Sequence, residues 1–134
     1  MQIAEASVPA QGFATLQNFF TRGLRPDARP LDARPAALLS PADGCIGACG
    51  RIASDSLFQA KGRDYSLAAL LQGPGERFHG GVFATVYLAP GDYHRFHAPV
   101  NGSVDGVRRV PGSFHSVNPA TVARVPNVFV RNER

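Results

Sequence analysis

A mainly β domain with a few short helices, of the α+β class, is the fold this sequence predicts, on three observations. Its 14 glycines and 11 prolines are scattered through 134 residues, which favours short strands and turns over long helices. Short apolar runs bounded by turn residues recur from Leu38 to Val130, as strands do. Only two stretches carry helical spacing. With 44% hydrophobic residues, the chain can bury a core of its own and is short enough to form one domain.

The first helical stretch is residues 13–24, where Phe13, Leu16, Phe20 and Leu24 fall on one face and Gly23 supplies a stop. Such a helix docks on the domain or lies in a membrane interface. Pro26, Pro30 and Pro35, set among arginines and aspartates, make residues 25–36 an extended connector. Residues 1–36 therefore read as an amphipathic helix and a Pro/Arg-rich connector, and residues 37–134 as a β-rich domain. Within that domain Leu38-Leu39, Cys45-Ile46, Val82 to Leu88, Val107 to Val110 and Val125 to Val130 are predicted strands. Ser66 to Leu71, ahead of Gly73, is the second helix, with Ser66 as its cap. The run 127–134 is strand-like and has no closing turn, so it reads as an edge that a partner or a longer chain would cover.

The formal charge is +4 with a pI near 9.7, and it is carried almost wholly by arginine, since Lys61 is the only lysine. Arginine recognises phosphate and carboxylate, but the aromatics do not interleave with the basic residues, which argues against nucleic acid. Cys45 and Cys49 have no second pair to complete a zinc site and read as reduced core thiols. No stretch reaches the roughly 20 apolar residues of a membrane span, and the N-terminus lacks a secretory signal. A cytoplasmic or peripheral membrane location is expected.

Three polar segments stand out as candidate chemistry: Pro-Ala-Asp-Gly at 41–44, Gln-Ala-Lys-Gly at 59–62, and Asp-Tyr-His-Arg-Phe-His at 92–97. His94 and His97 would face opposite sides of a strand but converge on a turn or helix. A metal site would need further ligands that no familiar pattern supplies here. Asp43 with one of these histidines would suit two members of a proton relay, with a serine as the missing third. Lys61 beside Gly62 also invites a biotin- or lipoate-carrier reading, which its neighbours do not support.

Taken together, Phe19-Phe20-Thr21-Arg22, Ser-Pro-Ala-Asp-Gly at 40–44, Gln-Ala-Lys-Gly-Arg-Asp-Tyr-Ser-Leu at 59–67, Tyr-Leu-Ala-Pro-Gly-Asp-Tyr-His-Arg-Phe-His at 87–97, Val-Pro-Gly at 110–112, Ser-Val-Asn at 116–118 and Val-Arg-Asn-Glu-Arg at 130–134 resemble the bacterial phosphatidylserine decarboxylases in order and spacing. The resemblance runs from about Phe13 to Arg134. It implies the N-terminal β chain of a proenzyme that cuts itself between Gly and Ser in a Leu-Gly-Ser-Thr-like motif, turning that Ser into a pyruvoyl cofactor. By the same resemblance Asp43 and His97 form the relay for self-cleavage, and His94 serves the decarboxylation step as proton donor.

The sequence departs from the family in containing no Leu-Gly-Ser-Thr-like motif; Gly102-Ser103 and Gly112-Ser113 lie in the wrong context. The expected fold is thus an incomplete decarboxylase-like β-rich domain. Alone it should be inert, because it depends on a C-terminal pyruvoyl-bearing α chain. Its other expected partners are phosphatidylserine and an anionic membrane surface on the cytoplasmic side. The competing reading is a non-catalytic membrane-surface or interaction module.

Overall fold

The computed structural model describes residues 3–60 and 63–134; Lys61 and Gly62, and with them the carrier-lysine reading, lie outside the described residues. Helix and strand contribute about equally, as short helices and two small two-stranded sheets. This is the α+β class. The chain divides into two compact units, one comprising the residues up to Cys45 with Leu88–Val104, the other Ile46–Tyr87 with Asp105–Arg134.

In the first unit helix α1 covers only Leu16–Phe20, much less than the expected 13–24. Thr15 caps it, its side chain accepting from the Asn18 N–H at 3.0 Å. The far end is set by competition: Ala6 bridges Leu24, and the Ser7 N–H donates to the Gly23 carbonyl at 3.0 Å. That pairing draws Leu24 off the helix into extended backbone. The apolar face divides accordingly, with Phe13 packing edge-on against Phe19 at 5.4 Å while Leu16 remains 80% exposed. Residues 25–36 form neither helix nor strand, as their prolines require. Leu38 and Leu39 form no strand either, although the Leu39 N–H bonds to the Pro99 carbonyl.

The second unit is built on strands β1 (Cys45–Arg51), β2 (Ser56–Ala60), β3 (Arg63–Ser66) and β4 (Val82–Tyr87), and helix α2 (Leu67–Leu71). Strand β1 pairs with β4, and β2 pairs antiparallel with β3 in a register that sets Leu57 opposite Tyr65. Ile52, Leu57, Tyr65 and Leu67 form the core, against which Leu70, Leu71, Phe83, Phe129 and Val130 pack. The β2–β3 hairpin escaped sequence reasoning because Ser56, Gln59, Arg63 and Asp64 break up its apolar alternation. Gln59 is buried, and its side-chain amide donates to the carbonyls of Val122 and Val125, 2.9 Å each.

Two expectations are corrected in this unit. Cys45 and Cys49 are free but exposed rather than in the core, because β1 is exposed along nearly its whole length. The expected strand from Val125 to Val130 is instead followed through a turn into helix α4 (Val128–Arg131), which comes after the short helix α3 (Pro119–Val122). Asn127 adopts a left-handed conformation (φ 55°) that turns the chain into α4 and fully buries Val128. Complete burial of Val128 in this turn and helix outweighs the strand propensity of the valines around it. Val107 to Val110 form no strand, although Val110 exchanges two backbone hydrogen bonds with Arg134.

The expected serine cap of α2 is present: Ser66 accepts from the Ala69 N–H at 3.0 Å. Asp55 reinforces it, accepting from the Ser66 hydroxyl and, at 2.6 Å, from the Ala68 N–H. These bonds hold the Asp55 carboxyl below the usual carboxylate range. Its contribution to stability is therefore complete above the ordinary carboxylate pKa of about 4 and is lost as pH falls through its own lower value. Urea unfolding across a pH series should show a steeper acid loss in the native protein than in Asp55→Asn; equal slopes would show that the carboxylate contributes nothing.

Candidate functional site

All three residues singled out by the motifs, Asp43, His94 and His97, lie in the first unit. The segment carrying the histidines starts from a turn in which Asp92 accepts from the Ala89 N–H through Oδ2 at 2.7 Å and donates its own N–H to the Ala89 carbonyl at 2.8 Å. Tyr93 is buried and anchors the residues after it. Residues 93–98 form neither strand nor helix, so the two imidazoles take separate surroundings.

His94 is half-buried, its ring 3.8 Å from that of Phe20 on α1. Its Nδ1 lies 3.0 Å from the Asp92 carbonyl oxygen. A carbonyl can only accept, so Nδ1 carries the proton and Nε2 is the position at which this ring gains or gives one. The same carbonyl accepts from Arg22 Nη2 at 3.2 Å, and a second bond of 3.2 Å joins Nη2 to the Gly91 carbonyl. Arg95 completes the clasp by donating from Nε to the Thr21 carbonyl at 2.9 Å. The end of α1 thus fixes the loop that orients His94.

His97 is exposed, and its Nε2 lies 2.9 Å from the Tyr93 hydroxyl with the two rings stacked. Its backbone N–H donates to the Pro41 carbonyl at 2.8 Å, which brings the Pro-Ala-Asp-Gly turn beside the histidine segment. The Asp43 carboxylate is held by Arg29, whose Nε and Nη2 lie 2.7 and 2.6 Å from Oδ2. Arg29 also reaches Glu5 at 2.9 Å, and the two carboxylates raise its pKa above the ordinary guanidinium value. Among the described residues no hydrogen bond joins Asp43 to His97, so the backbone assembles the two while their side chains face other partners.

Sequence reasoning missed Arg22, Arg29 and Tyr93 as contributors. Arg22 and Tyr93 stood inside the quoted runs, but nothing in a linear pattern marks an arginine that will be buried. Arg29 sat in the extended connector, where no spacing ties it to Asp43. Among the described residues no group of three His, Cys, Asp or Glu side chains is placed to hold a metal ion.

Comparison with known proteins supplies the family. The family model for phosphatidylserine decarboxylase matches residues 16–134. The chain belongs to the phosphatidylserine decarboxylase family. It is 52% identical over 125 residues to a phosphatidylserine decarboxylase proenzyme of Bordetella pertussis, covering 91% of this chain and 42% of that protein. Proteins of the same name from Sodalis glossinidius and Marinobacter nauticus are 54% and 48% identical, over 91% and 100% of this chain and 42% and 48% of their own lengths. The chain spans slightly less than half the length of the curated relatives it matches. The decarboxylase match runs through Asp43, His94 and His97 alike.

Removing the phenol that faces His97 should alter that ring and leave His94 unchanged. In imidazole nitrogen NMR spectra, Tyr93→Phe is expected to move the His97 Nε2 resonance while the His94 pair stays in place, since its Nδ1 bond is to a backbone carbonyl. A His97 signal indifferent to Tyr93→Phe would mean that the 2.9 Å contact is not populated in solution.

Proposed function

We propose that this chain is the N-terminal β chain of a phosphatidylserine decarboxylase, an enzyme that converts phosphatidylserine to phosphatidylethanolamine and CO2 in phospholipid synthesis. The observation that carries this reading is the family match across residues 16–134. In it, residues 37–134 carry the β chain's share of a mainly β decarboxylase domain, and residues 1–36 precede it as an arm that meets the cytoplasmic face of the membrane. The α chain derives from a C-terminal segment and bears the pyruvoyl group.

A pyruvoyl group supplies the electron sink for decarboxylation, and being formed from a serine of the α chain it asks nothing of this chain but proton transfer and binding. The substrate carbon that loses its carboxylate must gain a proton in its place. His94 suits that role because its Nδ1–H is pinned to a backbone carbonyl, so an imidazolium here presents its labile proton at Nε2. His97 and Asp43 act earlier, in self-cleavage, where His97 takes the serine proton and Asp43 stabilises the imidazolium. For this, Asp43 exchanges Arg29 for His97, and His97 turns from Tyr93 toward the serine.

Co-expression with a family C-terminal segment beginning upstream of its Gly-Ser bond tests the roles separately. His97→Ala and Asp43→Ala should abolish cutting, read as the mass of the C-terminal piece. His94→Ala should be cut normally yet release CO2 from phosphatidylserine at least about a hundredfold more slowly, within the range general acid–base groups contribute. A complex that assembles and cleaves without either Asp43 or His97 would remove the relay.

The membrane reading predicts sedimentation with anionic vesicles that weakens as salt rises, because each arginine near an anionic surface adds about 1 kcal/mol. Leu16→Asp, at an exposed position on α1, should reduce it without disturbing the fold. No sedimentation at low salt would leave α1 simply docked on its unit.

A further inference from the structure

The geometry points to a phosphodiester-binding cleft at the end of α1, formed by Arg22 and Arg95. Assigning the diester to the headgroup of a glycerophospholipid rests on the function proposed above.

Arg22 is only 4% exposed, yet its guanidinium meets no carboxylate among the described residues. Its partners are neutral: the Phe19 carbonyl at 3.3 Å, those of Gly91 and Asp92 at 3.2 Å each, and the face of the Phe19 ring at 4.8 Å. Its buried Nε has no partner. Arginine remains charged in proteins, and a buried charge offset only by neutral groups is costly unless something anionic completes its surroundings.

That completion has room. Arg22 and Arg95 both line a cleft of about 520 Å³, together with Ser7, Asn18, Thr21 and Phe13, and no acidic side chain contributes to its wall. The volume is within the usual range for small-ligand sites. Arg95 spends Nε on the Thr21 carbonyl, and its terminal nitrogens lie against Gly23, about 3.9–4.0 Å from where a Cβ would stand. The terminal nitrogens of Arg95 suit the non-bridging oxygens of a phosphate, which arginine binds through paired hydrogen bonds, while Arg22, its Nη groups held by backbone carbonyls, adds an unneutralised positive charge behind them.

Position selects a diester over free phosphate. The wall that includes Phe13, Pro9 and Leu24 is apolar, which suits the glycerol side of a phospholipid better than a fully hydrated dianion. Arg95 directly follows His94 in sequence, and Phe20, which stacks on His94, directly precedes Thr21-Arg22. The cleft is joined to His94 through the Asp92 carbonyl, which accepts from both Arg22 and the His94 ring.

The test titrates the cleaved complex with sn-glycero-3-phosphoserine, sn-glycero-3-phosphoethanolamine, inorganic phosphate and free serine, following heat and the arginine Nε–H resonances. Both diesters should bind, phosphate at least tenfold more weakly and serine not measurably. Arg95→Gln, at an exposed position, should weaken diester binding tenfold or more, with Arg95→Lys intermediate. Arg22→Lys should do the same, and should it fail to fold, Arg95→Gln alone decides. Equal binding by wild type and Arg95→Gln would overturn the cleft, and phosphate or serine binding as tightly as the diesters would overturn its assignment to a headgroup. Arginine-dependent diester binding without CO2 release would sink the decarboxylase reading and leave the cleft standing. Normal CO2 release with an unchanged KM in Arg95→Gln would do the reverse.

Discussion

The buried guanidinium of Arg22 joins the end of α1 to the loop at 91–95, and the candidate chemistry of the first unit hangs on that clasp. One carbonyl, that of Asp92, receives both Arg22 Nη2 and His94 Nδ1. The bond that fixes the imidazole tautomer is thus oriented by the same group that anchors the loop. A neutral residue at position 22 would leave several carbonyls with poorer partners, and buried polar groups are costly to leave unsatisfied. Helix α1 has only five residues, too short to persist on its own propensity. Its Thr15 cap and the rings of Phe13 and Phe19 supply what length cannot.

Apart from the buried Arg22, the charges around the candidate site are arranged by pairing. Asp43 meets Arg29, Arg29 meets Glu5, and His97 meets a phenol. The Asp43 and Arg29 side chains are about one-third and two-fifths exposed, so their ion pair is screened and adds modestly to stability. Such a pair can be exchanged at small cost for a better-placed partner. This suits a relay assembled from pieces, where each member needs an interim hydrogen-bond partner.

In the second unit hydrophobic burial and helix caps do most of the organising. Arg134 donates to the carbonyls of Ala69 and Leu70 at 2.7 Å each and to that of Val130 at 2.5 Å, so one side chain satisfies the C-terminal ends of α2 and α4 together. The Phe129 ring meets Tyr65 edge-on at 5.5 Å, and burial raises the Tyr65 hydroxyl above its ordinary pKa.

The sequence by itself determined the family, through seven short runs in order, and the features that depend on near neighbours: the Ser66 cap on α2, the strand from Val82, and the irregular connector with its three prolines. These are local, because a cap or a proline acts within a turn of itself. Tertiary structure decided what depends on partners far along the chain. Asp43 takes Arg29 from 14 residues away, and Arg22 takes the Asp92 carbonyl from 70. The run ending at Val130 turns at Asn127 into a helix that buries Val128 completely, and Cys45 and Cys49 stayed exposed because β1 is left largely uncovered. Spacing along a chain records which residues can share a face; which face is buried, and by what, is fixed only when distant segments meet.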